Sequence, residues 1–106
     1  MPPYPPHTRM ANVLVSSPVV QEAANEADRS AAWMRTAATR LDPELEVVGP
    51  APAPIEKLHG RWRWHFLLRS RSPGGLGGVL RAFLEEHRPK GRDVRVILDR
   101  DPVAVL

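Results

Sequence analysis

The 106 residues predict an α+β domain with the element order β-α-β-β-α-β, folded as a four-stranded antiparallel sheet with both helices on one face. Three observations carry this prediction. In Arg61–Ser70, Trp62, Trp64, Phe66 and Leu68 alternate with Arg61, Arg63, His65, Leu67 and Arg69. Successive side chains of a strand point to opposite faces, so this segment has one aromatic face and one mostly cationic face. Two segments that open on Ser-Pro repeat small or apolar residues at spacings of three and four, the period of a helix packed on one side. Three shorter apolar runs of strand length, bounded by Pro, Gly or Asp, complete the order.

Taken in order, residues 1 to 9 hold four prolines around Tyr4 and read as a polyproline-like linker from a preceding region, with the domain at 10 to 106. Met10 to Ser16 is the first strand. Ser17-Pro18 then supplies a cap and a first helical residue that loses no hydrogen bond. The predicted inner stripe of this helix is Val20, Ala24, Ala27, Ala31, Met34, Ala38 and Leu41, with Trp33 beside it at the core's edge. Glu22, Glu26 and Asp28 toward its start and Arg35 and Arg40 toward its end suit the helix dipole. Leu41-Asp42-Pro43 ends it, and Glu44 to Val48 is the second strand. Gly49 to Pro54, GPAPAP, reads as a stiff extended loop that Ile55 and Leu58 anchor to the body. A turn at Gly60 leads into the long strand Arg61–Ser70. Ser72-Pro73 opens the second helix, whose apolar face is Leu76, Val79, Leu80, Phe83, Leu84 and His87. Its glycine-rich start, GGLGG, matches neither a nucleotide-binding loop nor a dinucleotide fingerprint and reads as a flexible first turn. Pro89-Lys90-Gly91 breaks the helix before the last strand, Val94 to Leu98, and an Asp99-Arg100-Asp101-Pro102 turn. The order is that of the ferredoxin-like split β-α-β arrangement, which leaves one sheet face open.

Composition narrows the function. A chain of this length holds one core, and the absence of cysteine excludes a disulfide framework and thiolate chemistry. No apolar run reaches the ~20 residues of a membrane span, and the first residues lack the apolar segment of a signal peptide, so a cytoplasmic protein is expected. The net charge of +3 is uneven: residues 1 to 55 carry four Arg against six acids, and residues 56 to 106 eleven Lys and Arg against six acids. Thirteen of the fifteen cations are Arg, whose planar fork suits phosphate. Asp99 and Asp101 share one side of an extended segment but have Arg95 and Arg100 as ion-pair partners, and the four His show no metal-ligand spacing. No Ser sits in a nucleophile-elbow context, so the chain does not read as an enzyme. What remains is a binding module. Arg61, Arg63, His65 and Arg69 on the open face, with Arg71 beyond, form the candidate nucleic-acid surface, and an acidic peptide is the alternative ligand of such a face.

Two motifs carry a family resemblance: VVGPAPAPIEKLHGRWRWHFLLRS and, further on, VRVILDRDPVAVL. Together with the proline-led opening they resemble the C-terminal domain of the PriA family, the primosomal proteins N′ that restart stalled replication forks. The residues that match are Gly49, Pro50, Ala53 or Pro54, Gly60, Arg61, Trp62, Arg63, Trp64, Leu67, Leu68, Asp99, Asp101 and Pro102. The resemblance implies an accessory domain that follows two helicase lobes, binds single-stranded or forked DNA, and docks the acidic tail of the single-stranded DNA-binding protein. ATP, magnesium and zinc then belong to the parent protein and none to this chain. The family's acidic-tail pocket uses an Arg and a Gln at the start of the second helix. Pro73 and Gly77 align with those positions, so Arg69 and Arg71 are the expected docking residues here.

Overall fold

The computed structural model describes residues 8–100. They fold as β1 (Arg9–Ser17), α1 (Val20–Leu41), β2 (Glu46–Leu58), β3 (Arg61–Ser70), α2 (Pro73–Glu86) and β4 (Arg95–Arg100). The strands form one antiparallel sheet in the order β2-β3-β1-β4, the predicted α+β architecture. No helix among the described residues is long and apolar enough to cross a membrane.

The strand alternation builds the core. Val13 lies opposite both Phe66 and Leu98, so these side chains share one sheet face. On that face Ala11, Val13, Val15, Phe66 and Leu68 are buried against Ala27, Ala31 and Met34 of α1 and Leu76, Val79, Leu80 and Phe83 of α2. Trp64 packs partly buried on the same cluster, as predicted for the aromatic row. With alanine at most contact positions, the α1 backbone can approach the sheet closely. Trp33 closes the seam between the helices, edge-on to Phe83 at 5.4 Å between ring centroids.

Several expectations are corrected. Ser17 does not cap α1: it ends β1, where its hydroxyl accepts from the Val19 amide and donates to the Arg92 carbonyl. Val19 holds the cap position without a side-chain bond, and the helix starts at Val20. The buried stripe of α1 is turned from the predicted one, to Ala23, Glu26, Ala27, Ser30, Ala31, Met34, Ala37 and Ala38. Val20 and Leu41 are exposed instead. Hydropathy ranks Glu and Ser as outside residues, whereas here both are buried because the segment after α2 supplies their hydrogen-bond partners. On α2, Leu84 is 64 % exposed, while Leu76, Val79, Leu80, Phe83 and His87 are buried. Ser72 caps α2 as predicted, accepting from the Gly75 amide at 3.1 Å.

The largest difference is β2. GPAPAP is not a loop but part of a thirteen-residue edge strand. An edge strand has one side without a partner, so prolines that cannot donate are tolerated there, and the pairing shifts register between Val48 and Ala51 and between Pro52 and Lys57. Ile55 and Leu58 are exposed and anchor nothing; the residue that tucks inward is Ala53. Gly49 has φ +107°, and a Cβ there would stand 3.2 Å from Phe66 Cβ, so glycine lets the edge strand cross close to β3. At the far end His59 and Gly60, at φ 52° and 76°, make the two-residue hairpin turn into β3.

Candidate nucleic-acid interface

Because antiparallel partners share a face, the registers lay the open face out in rows across the strands. One row runs Arg63, Ser16, Arg95. The next is Ala51, His65, Leu14, Ile97, and beyond it lie Val48, Leu67, Asn12 and Asp99. Glu46 and Arg69 begin the last row. Arg61, Arg63, His65 and Arg69 therefore do point away from the helices, while Trp62 and Trp64 lie opposite Ser17 and Val15 on the helix side. The middle of the open face is apolar: Ile97 is 53 % exposed and Val48 47 %, beside half-buried Leu14 and Leu67.

Individually, the candidate residues differ in what they are free to do. Arg61 is a structural tie. Its guanidinium donates to Ser16 Oγ at 3.0 Å, to the Ser16 carbonyl at 2.9 Å, and to Asp93 Oδ2 and the Asp93 carbonyl at 2.8 and 2.7 Å. Its side chain is only 14 % exposed. Arg63 gives Nη1 to the Ile55 carbonyl at 2.9 Å, which braces the irregular part of β2. The Nδ1 of His65 lies 3.2 Å from Asn12 Oδ1. Arg69 pairs at 3.4 Å with Glu46, both largely in solvent, a contact of little energetic weight. Arg71 is exposed past the end of β3 and, with Arg69, Glu44 and Glu46, lines a cavity of about 380 Å³ at the opposite end of the sheet from Arg61. Those two carboxylates offset the two arginines. Arg95, expected as an ion-pair partner of Asp99 and Asp101 and not as a ligand contact, is 61 % exposed with its Nε 3.5 Å from Asp93 Oδ1.

A buried polar cluster was also missed. Glu26 on α1 accepts from His87 Nε2 at 2.5 Å and Ser30 Oγ at 2.7 Å on one oxygen, and from Arg29 Nε at 3.0 Å and the Lys90 amide at 2.9 Å on the other. Burial by itself pushes the Glu26 carboxyl up, but the bonds from His87, the Lys90 amide, Ser30 and Arg29 together outweigh it and hold the group below its usual range. His87 stacks on Phe83 at 4.7 Å. Ser, His and Glu together invite a catalytic reading, which the geometry refuses: both Ser30 and Glu26 engage the same ring nitrogen, so no proton can be relayed through the imidazole. The sequence signal was the i, i+4 spacing of Glu26 and Ser30 on the alanine-rich face. Among the described residues no three His, Asp or Glu side chains form a metal site. Asp99 lies on the open face opposite Asn12, and Asp101 falls outside the described residues. Gly77 leaves room for the Arg100 guanidinium, whose Nη1 would be 3.0 Å from a Cβ there.

The family model described as the primosomal protein N C-terminal domain matches residues 2–103, and the chain belongs to that family. It is 41% identical over 58 residues to the replication restart protein PriA of Haemophilus influenzae, a stretch that is 55% of this chain and 8% of that relative. With the replication restart protein PriA of Bacillus subtilis it shares 24% identity over 105 residues, 97% of this chain and 13% of that protein. Among solved structures it resembles the de novo designed protein Foldit4, with a TM-score of 0.58 at 13% identity over 88% of this chain and 94% of the other, a likeness of fold alone.

Proposed function

We propose that this domain binds single-stranded or forked DNA through the open face of its sheet, as an accessory part of a replication-restart protein. On this reading the helicase lobes, with their ATP, magnesium and zinc, lie outside these residues, and the protein works in the cytoplasm at the nucleoid. Family membership and the two relatives named for replication restart support the setting. The observation that carries the reading is the open face itself: apolar in the middle, with Arg63 and Arg95 along one end and no described helix over it. Phosphate contact supplies affinity to any sequence, and an apolar surface beside it gives unstacked bases a place to lie. The alternative ligand, an acidic peptide such as the tail of a single-stranded DNA-binding protein, would meet Glu44 and Glu46 beside Arg69 and Arg71, which opposes it there.

Competition distinguishes the two ligands. A labelled single strand bound to the domain is challenged with unlabelled forked DNA and, separately, with an acidic tail peptide. DNA binding is expected to give way to forked DNA and to resist the peptide. A labelled peptide that binds while DNA does not would reverse the assignment.

A further inference from the structure

We infer that the phosphate-contacting part of the open face is the end of the sheet built by the start of β3, the start of β4 and the loop before β4, with the apolar row beside it taking the bases of a single strand that lies across the strands. This placement presupposes that the domain binds nucleic acid. Arg63 and Arg95 stand on either side of Ser16 in one row, two strand spacings or about 10 Å apart. Arg61 spans the gap, and its bonds to Ser16 and Asp93 fasten β3 to the loop rather than reach outward. From Arg95 the band of exposed cations continues round the end of the sheet through Arg92 to Lys90, which lies toward α1 and shares a cavity with Glu22, Glu26 and Arg29.

Apart from the Asp93 side chain on Arg61, that loop is held in place through its backbone, so the Lys90 and Arg92 side chains take no part in its attachment. The Lys90 amide donates to Glu26, the Arg92 amide to Glu22 at 2.5 Å, and the Arg92 carbonyl accepts from Ser17. Of the carboxylates beside the band, Asp93 has an oxygen on Arg61 and the other 3.5 Å from Arg95, while Glu22 is engaged by the Arg92 amide and buried Glu26 by the Lys90 amide. The opposite end lacks this excess, since Arg69 and Arg71 share a cavity with Glu44 and Glu46. The row next to the band, Ala51, His65, Leu14 and Ile97, offers exposed aliphatic surface and an imidazole ring, suited to bases and unsuited to phosphate. A strand laid across the sheet thus meets charge on one side and apolar surface on the other.

The test measures anisotropy of a labelled oligothymidylate with the 106-residue chain at several salt concentrations, for the wild type, the triple variant K90A/R92A/R95A and the double variant R69A/R71A. The triple variant is expected to bind at least ~10-fold more weakly at low salt and to show a log-log salt slope shallower by about two, three single-strand contacts at about 0.7 each. Unchanged circular dichroism shows that its fold survives. The double variant is expected to stay within ~3-fold of the wild type. A triple variant that binds like the wild type, or a double variant that loses more, would overturn the placement while leaving nucleic-acid binding intact. A wild-type chain that does not bind at low salt would overturn both.

Discussion

Replacing Glu26 with Gln probes the joint that holds α1 to the segment after α2. The carboxylate accepts from four donors, two on each oxygen. An amide offers one acceptor oxygen and one NH2 group, so in either orientation one pair of donors, His87 and Ser30 or Arg29 and the Lys90 amide, faces a donor instead. With Glu26 1% exposed, water cannot compensate, and each lost charge-assisted bond costs about 1.5–3 kcal/mol before local rearrangement. A net loss of roughly 2–4 kcal/mol follows, lowering Tm by roughly 10–20 °C for a domain of this size. The pH dependence separates this cause from simple misfit. Because the folded-state pKa of Glu26 lies below the unfolded value near 4.5, its contribution is complete above that value and disappears as pH falls through the folded pKa. Urea unfolding of both proteins should show the full gap at neutral pH and a narrower one at about pH 3. A gap under ~0.5 kcal/mol at neutral pH, or one unchanged in acid, would refute the reasoning.

Three further outcomes are expected. Gly75→Ala places a Cβ 2.7 Å from Asp42 Cγ and 2.8 Å from the capping Ser72 Oγ and should destabilise by about 1–3 kcal/mol, whereas Gly78→Ala meets nothing within 4 Å and should stabilise by about 0.5–1 kcal/mol. Thermal melts of the pair would show opposite signs. Arg61→Ala removes the tie between β3 and the loop before β4 and should cost about 1.5–3 kcal/mol in urea unfolding, with faster amide exchange at residues 92–95. Ala31→Leu forces a larger side chain against the sheet at a fully buried position and should lower stability by about 1–3 kcal/mol in the same assay.

The element order, β3 with both its boundaries, and the face on which each of its side chains lies were legible in the sequence, because strict alternation over ten residues leaves one solution once one face is buried. Proline in GPAPAP misled, since proline excludes a central strand but not an edge, and which strand is at the edge depends on pairing far along the chain. The turned stripe of α1 was illegible for a similar reason: burial of Glu26 and Ser30 is decided by His87 and Lys90, some sixty residues away. Of the candidate site, the shared face of Arg61, Arg63, His65 and Arg69 followed from alternation, whereas the commitment of Arg61 to Ser16 and Asp93 did not, because its partners come from β1 and the loop before β4. Much of what carries the family resemblance, Gly49, Ala53, Gly60, Arg61 and Trp64, thus serves the hairpin and its attachment to the core.

The most direct test of the open-face assignment is an NMR titration of isotope-labelled domain with a short single-stranded oligonucleotide, following every backbone amide. Shifts concentrated at Ser16, Arg63, His65, Arg95 and Ile97, with the exposed sides of α1 and α2 silent, are the predicted result. Shifts confined to the helices, or spread around Arg69 and Arg71 alone, would contradict it.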